Sequence, residues 1–150
     1  MTPQDIKPFE VELPLPVKSY DIDLAGVVSN ITYIRWLEDL RLEMLNRYFP
    51  LEDQIRKGYS PVVLETHIQY KKAIRMFERP IGRMWMSKLE GLRGALEAEI
   101  LVDGKAVAKA TQICTFISLS NYHPIRIPTE FRAMFARFAE ERPRPDKKPA

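Results

Sequence analysis

The sequence has little cysteine and histidine and lacks a long apolar run. Of its 150 residues one is a cysteine, Cys114, and two are histidines. One cysteine excludes an internal disulfide and a site of paired zinc cysteines, and it suits a reducing compartment. No apolar stretch approaches the ~20 residues that span a bilayer, and residues 1–10 lack the apolar core of a secretory signal. We therefore expect a cytoplasmic protein with no membrane partner and no bound metal.

A strong excess of one charge is also lacking. The formal net charge is +3, a weak bias toward anionic partners. A nucleic-acid binder would carry a denser basic stripe with interleaved aromatic residues, so we expect no nucleic-acid partner. Residues 141–150 combine charges with three prolines and no large apolar side chain. This composition predicts a disordered tail after a single domain of residues 1–140.

The first third of the chain predicts a strand, a loop and a long helix. Alternating apolar residues predict an extended strand over residues 9–20, and Pro14 and Pro16, which lack N–H donors, confine it to a sheet edge. An apolar stripe predicts a helix over Asn30–Tyr48, with Ser29 or Asn30 as its N-cap. Residues 21–29 then form the loop between strand and helix.

The remainder predicts four strands and a short last helix. The strands are expected over residues 62–70, 83–89, 92–102 and 106–119, and Asp103-Gly104 is a strong signal for a two-residue hairpin. Pro128 and Thr129 begin the last helix. Strands segregated from helices indicate the α+β class. A five-stranded antiparallel sheet wrapped around one long central helix, with a short C-terminal helix, is the hotdog fold.

The loop and the helix start carry a recognisable pattern of residues. The pattern consists of Tyr20, Asp21, Asp23, Gly26, Val27 and Val28, followed at fixed spacing by Asn30, Tyr33, Trp36, Glu38 and Arg41. It resembles the 4-hydroxybenzoyl-CoA thioesterase family over about residues 9–138. The resemblance implies an acyl-CoA thioesterase in which Asp23 is the nucleophile or the base that activates water. It also implies that the backbone N–H of Asn30 binds the thioester oxygen and that Gly26 permits the turn between them.

This chemistry is consistent with elementary principles. An attacked thioester carbonyl becomes an oxyanion, which needs donors already aimed at it. The free N–H groups of Asn30 and Ile31, at the positive end of the helix dipole, would supply them. Thiolate leaves readily, so the reaction needs no cofactor beyond the coenzyme A of the substrate.

The resemblance also implies substrate contacts and an assembly. Gly26, Val27, Val28 and Tyr33 would contact the substrate, and the family forms homodimers or homotetramers through paired strand edges, here residues 62–70. Coenzyme A carries phosphates, which Arg or Lys binds. Arg83 and Arg93 are our first choices for that role, among candidates that also include Arg75, Lys88 and Arg79.

Several residues have simpler interpretations. Asp21 is expected to be structural, and Glu38 to form an ion pair with Arg41 three residues along the helix, although a second hotdog clade uses a mid-helix carboxylate as its catalyst. His67 and His123 lie far from Asp23 in sequence and are expected to be structural. Cys114 is expected to be a small core residue.

Two other functions stay open. The loop-helix junction is also similar to that of acyl-carrier-protein thioesterases, which share the chemistry and differ in the partner. A non-catalytic acyl-CoA-binding protein would retain the apolar site and the basic surface without turnover.

Overall fold

One antiparallel sheet organises the part of the chain that the computed structural model describes, residues 7–141. Its strand order is β1-β3-β4-β5-β2, and the short β6 pairs with β5. The predicted α+β hotdog fold is confirmed. The predicted tail lies outside the described residues, apart from residue 141, which ends the last helix. The strands are β1 (Val11–Pro14), β2 (Tyr59–Tyr70), β3 (Ile81–Glu90), β4 (Arg93–Val102), β5 (Lys105–Ser118) and β6 (Pro124–Ile125).

The long helix α1 covers Asn30–Tyr48, the predicted range. Its N-cap is Ser29, whose side chain accepts a hydrogen bond from the N–H of Ile31. One stripe of the helix is buried against the concave face of the sheet. The stripe consists of Thr32, Tyr33, Trp36, Leu37, Leu40 and Met44. Two shorter helices follow, α2 (Leu51–Arg56) and α3 (Thr129–Glu141).

Small residues allow α1 to approach the sheet. A Cβ atom added to Gly82 on β3 would lie 2.8 Å from Cδ1 of Leu15 and 2.9 Å from Cδ1 of Leu40. Both leucines are fully buried, so neither can move aside freely. Ala98 and Ala108, two of the small strand residues, are also buried. Gly82 therefore sets the spacing between helix and sheet at this point.

The structure corrects three element predictions. The first strand ends at Pro14 rather than continuing to residue 20, and a 3₁₀ turn covers Ser19–Asp21. Pro14 and Pro16 lack N–H groups, so regular pairing stops there, and Leu15 makes a single backbone bond to Pro80. Helix α2 and strand β6 were not predicted. Both are too short for a periodic signal.

Both sheet edges agree with prediction. β1 lies at one edge and β2 at the other. β2 pairs with β5 on one side, and no strand within residues 7–141 pairs with its outer side. This free edge contains residues 62–70, the predicted contact between subunits.

Candidate active site

Asp23 sits in a tight loop that immobilises one of its carboxylate oxygens. The Oδ1 atom accepts hydrogen bonds from the N–H of Ala25 at 2.8 Å and the N–H of Val27 at 3.4 Å. The backbone N–H of Asp23 donates to the carbonyl of Val27 at 2.8 Å, and Gly26 adopts φ +79° to close the turn. Oδ2 has no hydrogen-bond partner within residues 7–141, and the side chain is exposed. One oxygen is thus held while the other is available to a substrate or a water.

The start of α1 presents one uncommitted donor. Ser29 uses its hydroxyl to accept from Ile31 and its carbonyl to accept from Thr32. Among the described residues, no acceptor meets the N–H of Asn30, the first residue of the helix. Asn30 is exposed. The structure corrects the prediction for Ile31, whose N–H is capped by the Ser29 hydroxyl. The N–H of Asn30 stays the candidate oxyanion donor.

Asp21 ties the loop to the helix. It is buried, and its Oδ2 accepts from the N–H of Lys18 at 2.8 Å. Its carbonyl accepts from the N–H of Ser29 at 2.7 Å, and the Thr32 hydroxyl lies 3.4 Å from its Oδ1. All of these are structural contacts, as predicted for Asp21. They fix the position of Asp23 relative to the end of α1.

The segment between β2 and β3, residues 71–80, packs against the Asp23 loop. The N–H of Val28 donates to the carbonyl of Ile74 at 2.8 Å, and Val27 forms an isolated bridge with Arg75. Ile74 is fully buried. This segment, called the 71–80 loop below, therefore belongs to the same end of the molecule as Asp23 and Asn30. No local pattern in the sequence predicts this pairing, since Val27 and Arg75 lie about 50 residues apart.

Tyr33 and Val28 lie in the core beneath this surface. The Tyr33 ring packs edge-on against Trp36 at 5.3 Å and against Tyr70 at 4.9 Å between centroids. Burial, followed by the nearby Tyr70 and Glu78, raises the pKa of Tyr33 to about 12. Its hydroxyl is therefore neutral at any physiological pH, which suits a wall of the site rather than an acid or base.

The two arginines chosen from the sequence lie apart from this cluster. Arg83, on β3, forms an ion pair with Glu12 at 3.3 Å. Arg93 begins β4, whose other end, Val102, packs against the core cluster that includes Val28 and Tyr33. Nine residues of strand separate those ends, roughly 30 Å. Within one chain, therefore, the structure brings neither arginine to the free Asn30 amide.

An apolar cavity of about 180 Å³ lies between the C-terminal half of α1 and the sheet. Its base includes Phe9 and Phe131, and its only charged lining residues are Glu38 and Arg41. Asp23 and Asn30 do not line it. Glu38 is eight residues beyond Asn30, or about 12 Å along the helix. The cavity is large enough for part of an acyl chain.

The predicted ion pair between Glu38 and Arg41 is wrong. Arg41 Nη1 instead donates to Oε1 of Gln112 at 2.8 Å, and Gln112 Nε2 donates to the hydroxyl of Thr66 at 3.0 Å. Gln112 is buried, so leaving its amide oxygen without a donor would cost free energy. Glu38 is exposed, and water can solvate its carboxylate without Arg41. Glu38 keeps a carboxylate with no ion-pair partner within residues 7–141.

The other reactive residue types form no hydrogen bond with Asp23 among the described residues. His67 lies on β2 and His123 in the turn before β6, and both are exposed. Cys114 is half-buried on β5, and burial raises the pKa of its thiol to about 11. Residues 7–141 contain no group of three His, Cys, Asp or Glu side chains that could hold a metal ion.

Comparison with known families identifies the fold and the chemistry together. Residues 17–135 match the model of the thioesterase-like superfamily. That range includes the Asp23 loop, all of α1 and most of the sheet. The chain belongs to the thioesterase-like superfamily. This membership confirms the predicted hotdog thioesterase family and the predicted thioester-hydrolase class.

Relatives of this thioesterase are distant in sequence. A chloroplastic acyl-acyl carrier protein thioesterase of Arabidopsis thaliana is 24% identical over 87% of this chain and 70% of its own length. A putative esterase of Synechocystis is 28% identical over 55% of this chain and 50% of its own.

Solved structures agree with the fold. The DHNA-CoA thioesterase of Staphylococcus aureus superposes with a TM-score of 0.80 at 20% identity, covering 87% of this chain and 91% of its own. A second S. aureus protein, solved in complex with CoA, gives a TM-score of 0.81 at 16% identity over 92% and 88%. No helix of the thioesterase within the described range is both long and apolar enough to span a membrane.

Proposed function

We propose that this thioesterase hydrolyses acyl-CoA to a carboxylic acid and free CoA. The observation that carries the proposal is the free N–H of Asn30 at a capped helix end. The loop that is hydrogen-bonded to this helix end holds the Asp23 carboxylate, which has one fixed and one free oxygen. The thioester oxygen would accept from Asn30, whose amide and helix dipole stabilise the developing negative charge. Asp23 would attack the carbonyl carbon or deprotonate the attacking water.

The first test replaces the carboxylate. Asp23→Asn keeps the size of the side chain and removes its charge, so we expect kcat to fall by at least about 100-fold, because neither attack nor proton removal remains. The measurement is release of free thiol from a panel of straight-chain and aromatic acyl-CoA esters. Asp39→Asn, an exposed aspartate on α1, is the matched control. Full activity in Asp23→Asn would end the proposed role of this residue.

The second test removes the oxyanion donor itself. Asn30→Pro deletes the backbone N–H at the first helical position, where proline is well tolerated. Ser29 already has φ −65° and ψ 145°, the extended conformation that precedes proline. We expect kcat to fall roughly 10²–10³-fold with little change in Tm.

Asn30→Ala is the control for this second test, since it keeps the N–H and should retain most activity. Equal loss in Asn30→Ala and Asn30→Pro would assign the effect to the side chain and overturn the backbone role.

A second candidate for the catalytic carboxylate is Glu38. The observation that favours it is its position on the wall of the apolar cavity, with no ion-pair partner among residues 7–141. Glu38→Gln separates the two hypotheses: Asp23 as the catalyst predicts near-normal kcat in Glu38→Gln, and Glu38 as the catalyst predicts near-normal kcat in Asp23→Asn.

Two other assignments are part of the proposal. A carrier-protein substrate is supported by the name of the Arabidopsis relative, and rates on one acyl group carried by CoA or by carrier protein distinguish the two donors. We also propose a homodimer, or a homotetramer built from such dimers, formed through the free edge of β2. A non-catalytic role would be indicated if no thioester were hydrolysed while acyl-CoA raised the Tm.

A further inference from the structure

Phe77, in the 71–80 loop, is an aromatic residue held in an unfavourable state. Its side chain is 89% exposed, and its backbone has φ +74°, in the left-handed region that bulky residues avoid. Exposure of the ring and strain in the backbone both oppose folding. Such residues persist where the surrounding structure imposes them, and they cluster at sites that bind ligands.

The surroundings of Phe77 are well fixed. Phe77 lies within a turn in which Arg75 N–H donates to Oε1 of Glu78 at 2.9 Å and Glu78 N–H donates to the Arg75 carbonyl at 3.2 Å. Ile74 is buried at one side of the turn, and the carbonyl of Pro80 accepts from Leu15 at the other. The ring is therefore presented by a rigid turn, which lowers the entropic cost of binding a ligand against it.

The same loop carries the free positive charge near the Asp23 site. Four basic residues are exposed and have no ion-pair partner within residues 7–141, in contrast to Arg83, which is paired with Glu12. They are Lys71, Lys72, Arg75 and Arg79. An open groove of about 440 Å³ is lined by residues 14–17 on one side and 76–80 on the other. Of the four basic residues Arg79 lines this groove, together with Phe77 and Glu78. That volume is within the range of small-molecule sites, roughly 300–1,000 Å³.

We propose that the 71–80 loop binds the nucleotide end of CoA, with the adenine stacked on Phe77 and the phosphates held by its basic side chains. This inference rests on the proposed acyl-CoA hydrolysis and specifies which part of the substrate each region holds. Stacking of a base on an aromatic ring and ion pairing of Arg or Lys with phosphate are both established modes of recognition.

The distance from the reacting centre is suitable. Val27 is bridged to Arg75, and Asn30 is the third residue after Val27. Three residues span at most about 11 Å and a bridged pair adds about 5 Å. The Arg75 backbone therefore lies within roughly 16 Å of the Asn30 amide, comparable to an extended pantetheine arm between thioester and phosphates.

An exposed ring favours the nucleotide over an acidic carrier protein. A carrier protein delivers its acyl group on phosphopantetheine, which has no base to stack. Its acidic surface would use the lysines and arginines but would leave Phe77 without a planar partner. Hydrolysis of acyl-CoA should therefore depend on Phe77, and hydrolysis of an acyl-carrier protein should not.

The test compares one acyl group on CoA and on pantetheine, which lacks the nucleotide. In Phe77→Ala we expect kcat/KM for acyl-CoA to fall about tenfold through KM, because base stacking of about 1.4 kcal/mol is lost. Hydrolysis of acyl-pantetheine should be unchanged. A second measurement, titration of the full chain with adenosine 3′,5′-bisphosphate, should show binding that is weakened to a similar extent in Phe77→Ala.

Tyr122→Ala is the matched control. Tyr122 is also aromatic, 71% exposed and at positive φ (60°), but it lies in the turn before β6, so its loss should change neither measurement. Phe77→Gly controls for folding, since glycine relieves the strained φ and should not lower the Tm.

Each outcome decides one claim. Equal losses on acyl-CoA and acyl-pantetheine, or a loss confined to acyl-carrier protein, would overturn the nucleotide site while leaving hydrolysis intact. Absence of bisphosphate binding in the wild type would overturn it as well. Binding that depends on Phe77 in a protein that hydrolyses no thioester would support the site and refute the proposed function.

Discussion

At the candidate active site, Asn30 and Asp23 present different groups to a substrate, one from the backbone and one from the side chain. Asn30 offers its backbone N–H, and Asp23 offers one oxygen while its loop holds the other. The residue types of the Asp23 loop could be chosen from the sequence because they match a spaced pattern. The partner of Arg41 could not, since Gln112 lies 71 residues further along the chain and the need of its amide oxygen for a donor arises only on burial.

Cys114 provides a prediction about pH at the residue scale. Burial raises the pKa of its thiol to about 11, against an ordinary value of 9.0, and the nearby Arg41 only partly opposes this. The unfolded chain therefore ionises first, so stability is fully present below pH 9 and falls as the pH rises toward 11. Between pH 8 and pH 10.5 the wild type should lose about 1–2 kcal/mol more unfolding free energy than Cys114→Ala.

Urea unfolding at the two pH values measures the difference, and Tyr33 titrates in both proteins and so cancels. Equal losses in the two proteins would show that the thiol is not shielded from solvent.

At the scale of elements, the helix was easier to predict than the strands that surround it. The bounds of α1 are determined locally, by a capping serine and a periodic stripe. The first strand is shorter than its alternation suggests because hydrogen-bond donors, and not apolar spacing, decide where pairing stops. The junction of the 71–80 loop with the Asp23 loop depends on the sheet, which aligns the two segments only after folding.

Gly82 gives a prediction for the contact between helix and sheet. Gly82→Ala places a methyl group against two buried leucines, so we expect a loss of roughly 1–3 kcal/mol of unfolding free energy. Gly94→Ala is the matched control on β4. Its added Cβ would lie 3.2 Å from Leu89 Cδ1 and 3.3 Å from Met86 Cε, so the ends of these flexible side chains need to move by only a few tenths of an ångström. Chemical denaturation compares the two, and an equal or larger loss in Gly94→Ala would contradict the proposed role of Gly82.

At the scale of the whole molecule, the unpaired edge of β2 and the outer face of α1 expose apolar side chains together. Leu64 and Tyr70 on β2 are 47% and 45% exposed, and Ile31, Ile34 and Leu42 on α1 are 63%, 46% and 41% exposed. An exposed strand edge promotes pairing with another chain. These features are consistent with a twofold interface along β2, in which the same strand of each copy pairs with the other.

The dimer prediction concerns two side chains on that edge. In the double variant His67→Glu and Gln69→Glu, each copy would place two negative charges on the pairing edge. The two paired strands would then carry four negative charges that repel one another. We expect a dimeric wild type and a monomeric variant by light scattering coupled to size exclusion. The matched control is Glu97→Gln and Glu99→Gln on β4, inside the sheet order. A monomeric wild type at micromolar concentration would refute the interface.

The base of the apolar cavity comes from the two ends of the described chain. Phe9 packs its ring against Phe131 at 4.9 Å and against Phe138 at 5.3 Å, so the segment before β1 contacts α3 at the cavity. Exchanging Phe9 or Phe131, which both line the cavity, for a smaller side chain would enlarge the space without changing the Asp23 loop. Evolution could therefore lengthen or shorten the acyl group accepted by this scaffold through its terminal segments, independently of the catalytic machinery.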